Sequence, residues 1–254
     1  VIPDLAMIAR FALFLVCLML ALPAYADDYA AAQIDNIAKT LVRFGALDIS
    51  DDALLDEYAM VTDCDLYKRF YGNDFQWNKV RGLIRNSIQM NIASFPISYH
   101  YDARLQLDRY DFAQKTFMFT ALTTIHNINT FVIYHREDAG CGQAKVQFLP
   151  TTYRSVMDTP LTIPGIPLAE ADAQAMLKQM DADKNDDRIV FTRFNLRIIY
   201  VDPLRKASLG DNAPPQYMQA GHATSHGMRF DARLDSVDFY EDPAMKRLIY
   251  SYRP

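Results

Sequence analysis

The chain has 254 residues, half of them hydrophobic, with 31 acids against 26 bases and a formal net charge of −5. That balance excludes a nucleic-acid binder, which needs a basic face. Nine glycines supply neither a Gly-x-x-x-x-Gly-Lys phosphate loop nor a nucleotide fingerprint, so no cofactor is expected.

Residues 1–6 read as upstream sequence. From Met7 a basic start ending at Arg10 leads into an uncharged apolar run over 11–22, then Pro23-Ala-Tyr-Ala26 and Asp27-Asp28. A basic start, a short apolar core and an Ala-x-Ala site describe a secretory signal peptide, cleaved after Ala26. The run is short for a membrane span, which needs about 20 apolar residues. The expectation is a periplasmic or secreted protein, residues 27–254, with no transmembrane helix in the mature chain. Cys64 and Cys141 remain after cleavage, and an even count in an exported chain points to a disulfide between them.

Residues 27–95 read as the helical part of a single α+β domain. Ile34, Ile37, Leu41 and Phe44 share a helix face, with Gly45 as a stop. Ser50-Asp-Asp52 precedes a second helical run, a capped start with acid in the first turn. Leu66, Tyr67, Phe70 and Tyr71 continue helically to Gly72. Asn73-Asp74 caps a third run, in which Trp77, Val80, Ile84 and Ile88 share a face.

Phe95-Pro96 marks the switch to a β-rich part, residues 96–254, since the residue before proline favours extended backbone. Residues 97–108 alternate: Ile97, Tyr99, Tyr101, Ala103, Leu105 and Leu107 against Ser98, His100, Asp102, Arg104, Gln106 and Asp108. That period of two predicts a strand with one buried and one polar face. Tyr101-Asp-Ala-Arg-Leu105 is echoed by Phe230-Asp-Ala-Arg-Leu234 and, more loosely, by Phe194-Asn-Leu-Arg-Ile198. These three segments are expected to be principal strands of one sheet, in which arginines of one repeat meet aspartates of the other.

Residues 116–125 read as the next strand, broken by Asn127-Ile-Asn129. Residues 131–135 and 144–149 suggest a hairpin around Glu137-Asp-Ala-Gly-Cys-Gly142. Four prolines over 150–167 suggest an ordered crossing loop. A helix follows over 168–180, then an acidic turn over 181–187. A central strand over 188–201 comes next, then a long loop over 202–221 and final strands over 228–234 and 248–252. The expected fold is a helical N-terminal third packed on a mostly antiparallel sheet or sandwich of about seven strands.

The 181–187 turn resembles an EF-hand calcium loop, with Asp181, Asp183, Asn185 and the main chain of Asp187 where ligands belong. It departs at Asp186, where glycine is needed, and at Thr192, where the bidentate glutamate belongs. An acidic helix-to-strand turn is therefore expected, and no metal. His222-Ala-Thr-Ser-His226 has a four-residue spacing but is flanked by Gly221 and Gly227, against a helical ligand pair. Among weak candidates for a ligand surface are His100, Asp102, Arg104, Arg233, His222 and His226. Arg104 and Arg233 each have aspartates on their own strand face and are expected to act structurally. The catalytic residues stay unassigned, because no nucleophile elbow and no Cys-His pair is present.

The order of elements resembles a family of exported bacterial proteins of unknown function. The resemblance rests on the signal peptide, the helical part with one cysteine and Tyr110-Asp-Phe after a strand. It continues with the helix over 168–180 and two arginine-bearing strands. It implies a compartment and a fold but no activity. The sequence is read as a binding or envelope-associated interaction module for an unidentified envelope protein or polymer; a hydrolase of an envelope polymer is the alternative.

Overall fold

The computed structural model describes residues 29–135, 140–142, 144–185, 187–207, 216–219 and 227–254. A two-residue strand β1 (Ala30–Ala31) precedes four helices: α1 (Ile34–Arg43), α2 (Asp52–Thr62), α3 (Cys64–Phe70) and α4 (Asp74–Asn91). Three of the four starts are capped by side chains. Asp51 accepts from Ala53 N and Leu54 N, Asp63 from Leu66 N, and Asn73 from Gln76 N. Each cap satisfies amide groups that have no partner inside the helix. The cap at Asp63 also divides the run that follows Ser50 into two helices. Gly45, at φ 66°, turns the chain out of α1 as the spacing predicts.

The strands follow in order: β2 (Ser98–Asp111), β3 (Thr116–Phe119), β4 (Ile125–His135), β5 (Gly140–Cys141), β6 (Ala144–Lys145), β7 (Thr152–Ile163) and β8 (Gly165–Pro167). Helix α5 (Glu170–Ala182) leads to β9 (Ile189–Val201), β10 (Leu204–Ala207), β11 (Gln216–Gln219), β12 (Met228–Tyr240) and β13 (Leu248–Tyr252). The main sheet runs β4-β7-β12-β9-β2-β3-β8, with β1 added to β2 and β13 to β12. It is mixed: β7 is parallel to β12 and β1 is parallel to β2, while the other pairs are antiparallel. The fold is α+β.

The sheet curls into a half-barrel. Phe131 on β4 stands 4.9 Å from Phe194 on β9, ring centre to ring centre, and 5.4 Å from Tyr101 on β2. Three strand intervals in a flat sheet would separate β4 from β9 by about 14 Å. Phe119 on β3 likewise reaches Phe239 on β12 at 5.7 Å. The concave face holds Tyr99, Leu105, Leu107, Val190, Phe194, Leu196, Phe230, Leu234, Val237 and Phe239, all buried. Helix α1 closes onto it: the Thr40 and Tyr99 hydroxyls bond, and Tyr99 donates to Asn36 O at 2.9 Å. Gly165 sits where β8 meets β3, and a Cβ there would fall 2.1 Å from Phe117 O.

The disulfide between Cys64 and Cys141 forms, with Cα atoms 5.4 Å apart. It fastens α3 to the β5–β6 hairpin, and bridges of this kind contribute about 2–4 kcal/mol. The buried Glu57 works beside it, accepting from the amides of Gln147, Phe148 and Leu149. One carboxylate thus satisfies three successive main-chain donors in the segment after the hairpin.

Four expectations fail. The Asn127-Ile-Asn129 segment does not end a strand; β4 continues through it with register shifts, Asn127 taking φ 56°. Residues 131–135 pair with β7, not with 144–149. The proline-rich stretch is strand rather than loop over Thr152–Ile163. Pro160 is tolerated because residues 158–160 have no bridge partner on either side among the described residues, so no ladder bond is lost. Within 202–221, β10 and β11 pair with each other.

Candidate functional site

Strand β9 is the axis of the convex face. It pairs with β2 on one side and β12 on the other, so the two close repeats flank the third segment and do not touch each other. The arginines that meet Asp102 and Asp235 across strands therefore come from β9. Arg193 holds Asp102 with a fork, Nε to Oδ1 at 2.8 Å and Nη2 to Oδ2 at 2.9 Å. That bonding raises the pKa of Arg193. Arg197 donates to Asp235 at 2.9 Å. Asp235 stands outward because the register shifts between Leu234 and Ser236, the extra residue of a bulge. It also receives Tyr29 Oη at 3.1 Å and Arg233 Nε at 3.3 Å. Between these pairs, Asn195 donates to Ser236 Oγ and Asp238, and Ser251 adds a bond to Asp238.

His100 lies in the same row, with Nδ1 3.0 Å from Tyr29 O and Nε2 3.9 Å from Asp102. The carbonyl partner makes Nδ1 the protonated nitrogen. The gap to Asp102 is too long for a hydrogen bond. Arg104 does not pair with Asp102; its guanidinium lies over the Phe191 ring at 5.6 Å. Arg233 shares Asp235, whereas Asp231 is taken by Arg229 at 2.6 Å. The structure therefore brings His100 and Asp102 together, keeps Arg233 two strands away, and neutralises the row internally. His222 and His226 lie outside the described residues. Among the described residues no three of His, Cys, Asp and Glu are placed to hold a metal ion.

The acidic turn after α5 is held by its own bonds. Asp183 accepts from Arg247 at 2.6 Å and from Gln179, bonds that lower its pKa. The Asn185 side chain bonds both the amide and the carbonyl of Ile189. Asp181 uses its carbonyl to accept the Lys184 amide.

The main opening lies beside the repeat on β12. Strand β7 pairs with Met228–Ala232 and then departs with β4, while β13 pairs only from Val237 onward. Residues 233–236 therefore have no strand partner on this edge among the described residues. The facing residues 158–160 lack one too. A cavity of about 780 Å³ fills the gap, walled by Met157, Pro160, Leu161, Ile199, Leu234 and Tyr252. Asp158, Thr162, Arg233 and Asp235 supply its polar groups. Ile199 reaches it because a second bulge, between Asp231 and Ala232, makes it an extra residue; it is 51% exposed. Of these residues, the sequence reading singled out only Arg233. The available signal was Pro160 inside an otherwise strand-forming segment, which marks a break in the ladder.

A family model for a domain of unknown function, DUF4852, matches residues 50–179. No curated protein and no solved structure matches the chain.

Proposed function

The chain belongs to the DUF4852 family of domains of unknown function, and within it we propose that this protein is an exported, envelope-associated interaction module that docks an extended segment of a partner protein. Export is supported by the basic, apolar and Ala-x-Ala sequence of the N-terminal residues and by the Cys64–Cys141 bridge, which suits an oxidising compartment. The observation that carries docking is the slot in β12. Four residues of main chain, about 13 Å of strand, have no strand partner on one edge among the described residues, between two paired stretches. An extended peptide offers donors and acceptors at that spacing, and alternate side chains can enter the apolar walls. Strand edges left open in this way are sites of pairing with another chain. The hydrolase alternative would draw on His100 and Asp102. Those side chains sit on an open convex face, with Asp102 already held by Arg193, so geometry favours the interaction module.

The test is selection from a displayed library of extended peptides, followed by hydrogen exchange on the complex. Binding is expected to slow exchange at residues 233–236. Methylation of the peptide's amides, or Ile199→Asp, is expected to weaken it. Selected peptides that leave 233–236 unprotected, or a library that yields none, would refute the docking role.

A further inference from the structure

A second cavity lies in the helical layer, away from the slot and independent of it. Helix α4 is 18 residues long, yet only Trp77 and Ile88 are buried. One flank is fastened to α2 and the turn before it. Trp77 Nε1 donates to Asp56 at 2.8 Å, Arg81 forks onto the same carboxylate, and Arg85 bonds Ile49 O and Asp52. The other flank does not close. Val80, Leu83, Ile84 and Ser87 face Tyr58 and Phe70 across about 540 Å³ of unfilled space. The groove opens to solvent, and Leu83 and Met90 stand 68% and 78% exposed along the same helix.

The dimensions select an occupant. From Val80 to Asn91, both of which line the cavity, α4 rises about 16 Å, so 540 Å³ gives a mean cross-section of about 33 Å². A partner helix, 10–12 Å across, would need roughly 80–110 Å² to sink into the groove and could only lie across its mouth. An alkyl chain is about 4–5 Å wide at carbon contact distance and fits. At C–C bond lengths near 1.5 Å, roughly a dozen carbons would span the groove.

Two charged side chains line it, Lys39 and Asp63. Asp63 is occupied as the cap of α3, accepting Leu66 N at 2.9 Å. Lys39 makes one partly exposed i,i+4 pair with Asp35 at 3.3 Å, which leaves further ammonium protons to donate. We propose that this cavity is a binding site for a fatty-acid anion, with the alkyl chain along α4 and the carboxylate at Lys39.

The experiment is calorimetric titration of the full chain with dodecanoate below its micellar concentration, beside dodecanol, dodecyltrimethylammonium and an amphipathic helical peptide. Dodecanoate is expected to bind, with the cationic analogue weaker by about tenfold or more. Ser87→Trp, which fills the groove, and Leu83→Glu, which puts charge at its mouth, should each abolish binding without changing the melting temperature. Ser87→Ala should retain it, and Lys39→Gln should weaken it about tenfold. Ile199→Asp, in the sheet slot, should have no effect. Equal binding of anion and cation, binding that survives Ser87→Trp and Leu83→Glu, or a peptide that binds where dodecanoate does not would each overturn the proposal.

Discussion

The segments Tyr101-Asp-Ala-Arg-Leu105 and Phe230-Asp-Ala-Arg-Leu234 are nearly the same sequence on either side of β9, and they end in different surroundings. On β2, residues 101–105 have no strand partner on the outer edge among the described residues, being flanked by β1 at Tyr99–His100 and by β3 from Leu107. On β12, Phe230 to Ala232 are covered by β7, and the open stretch begins at Arg233. Arg104 stacks on Phe191, with Pro243 and Met245 of the β12–β13 turn lining the small space beside it. Arg233 is 67% exposed at the side chain, beside the large cavity. Asp102 is an exposed partner of Arg193, whereas Asp235, supplied by a bulge that the β2–β9 pairing lacks, is only 17% exposed and gathers three donors. Local sequence sets strand and face; the neighbouring elements set what lies beside the open edge, the β12–β13 turn at Arg104 and the large cavity at Arg233.

The largest expected effect breaks the comparison at its aspartates. Asp235→Ala removes a partly buried carboxylate and the three hydrogen bonds it accepts, and about 2–4 kcal/mol should be lost in urea unfolding. Asp102→Ala removes an exposed pair and should cost less than about 1 kcal/mol. Equal losses would mean that the bulge contributes nothing. The arginines come next. Arg104→Ala should cost about 0.5–1 kcal/mol through its contact with Phe191, and Arg233→Ala should stay within about 0.5 kcal/mol. Only Arg233→Ala should weaken a peptide selected for the slot. If Arg104→Ala weakened it equally, the two repeats would be functionally alike.

The remaining effect concerns the turn over β2 and depends on pH. Burial raises the pKa of Glu241, and its Oε1 meets no donor among the described residues. A raised folded value contributes stability that is full below the ordinary glutamate pKa, about 4.3, and is lost as pH rises through the folded value. Glu241→Gln should therefore match or exceed the parent at pH 7 by up to about 1 kcal/mol, with the advantage shrinking towards pH 4. Asp183 and Asp242 run the other way. Hydrogen bonds from Arg247 are the main cause of the lowered pKa of Asp183; at Asp242 the main-chain amides of Arg247, Lys246 and Ala244, together with the Arg247 charge, outweigh desolvation. Their contribution is present above the ordinary aspartate range and is lost on acidification. Thermal melts of the Glu241→Gln and Asp183→Asn variants from pH 3 to 8 should diverge in these opposite senses.

The helix starts at Asp51 and Asn73, the stop at Gly45, the alternation of β2 and the Cys64–Cys141 pairing were legible in the sequence. Each depends on residues close in the chain or, for the bridge, on simple parity. The proline-rich strand β7 was not legible, because Pro160 is admitted only where β12 has departed and the β4 register shifts. The slot was hidden for the same reason: it is an absence of partners along 233–236, and partners are chosen by topology. Composition and periodicity determined that this chain makes helices and then a sheet with one polar face. Only the tertiary structure decided that β9 lies between the two repeats, that the sheet curls until Phe131 meets Phe194, and that two openings are left. Curl, strand order and bulges arise from contacts between residues distant in sequence, which no local pattern encodes.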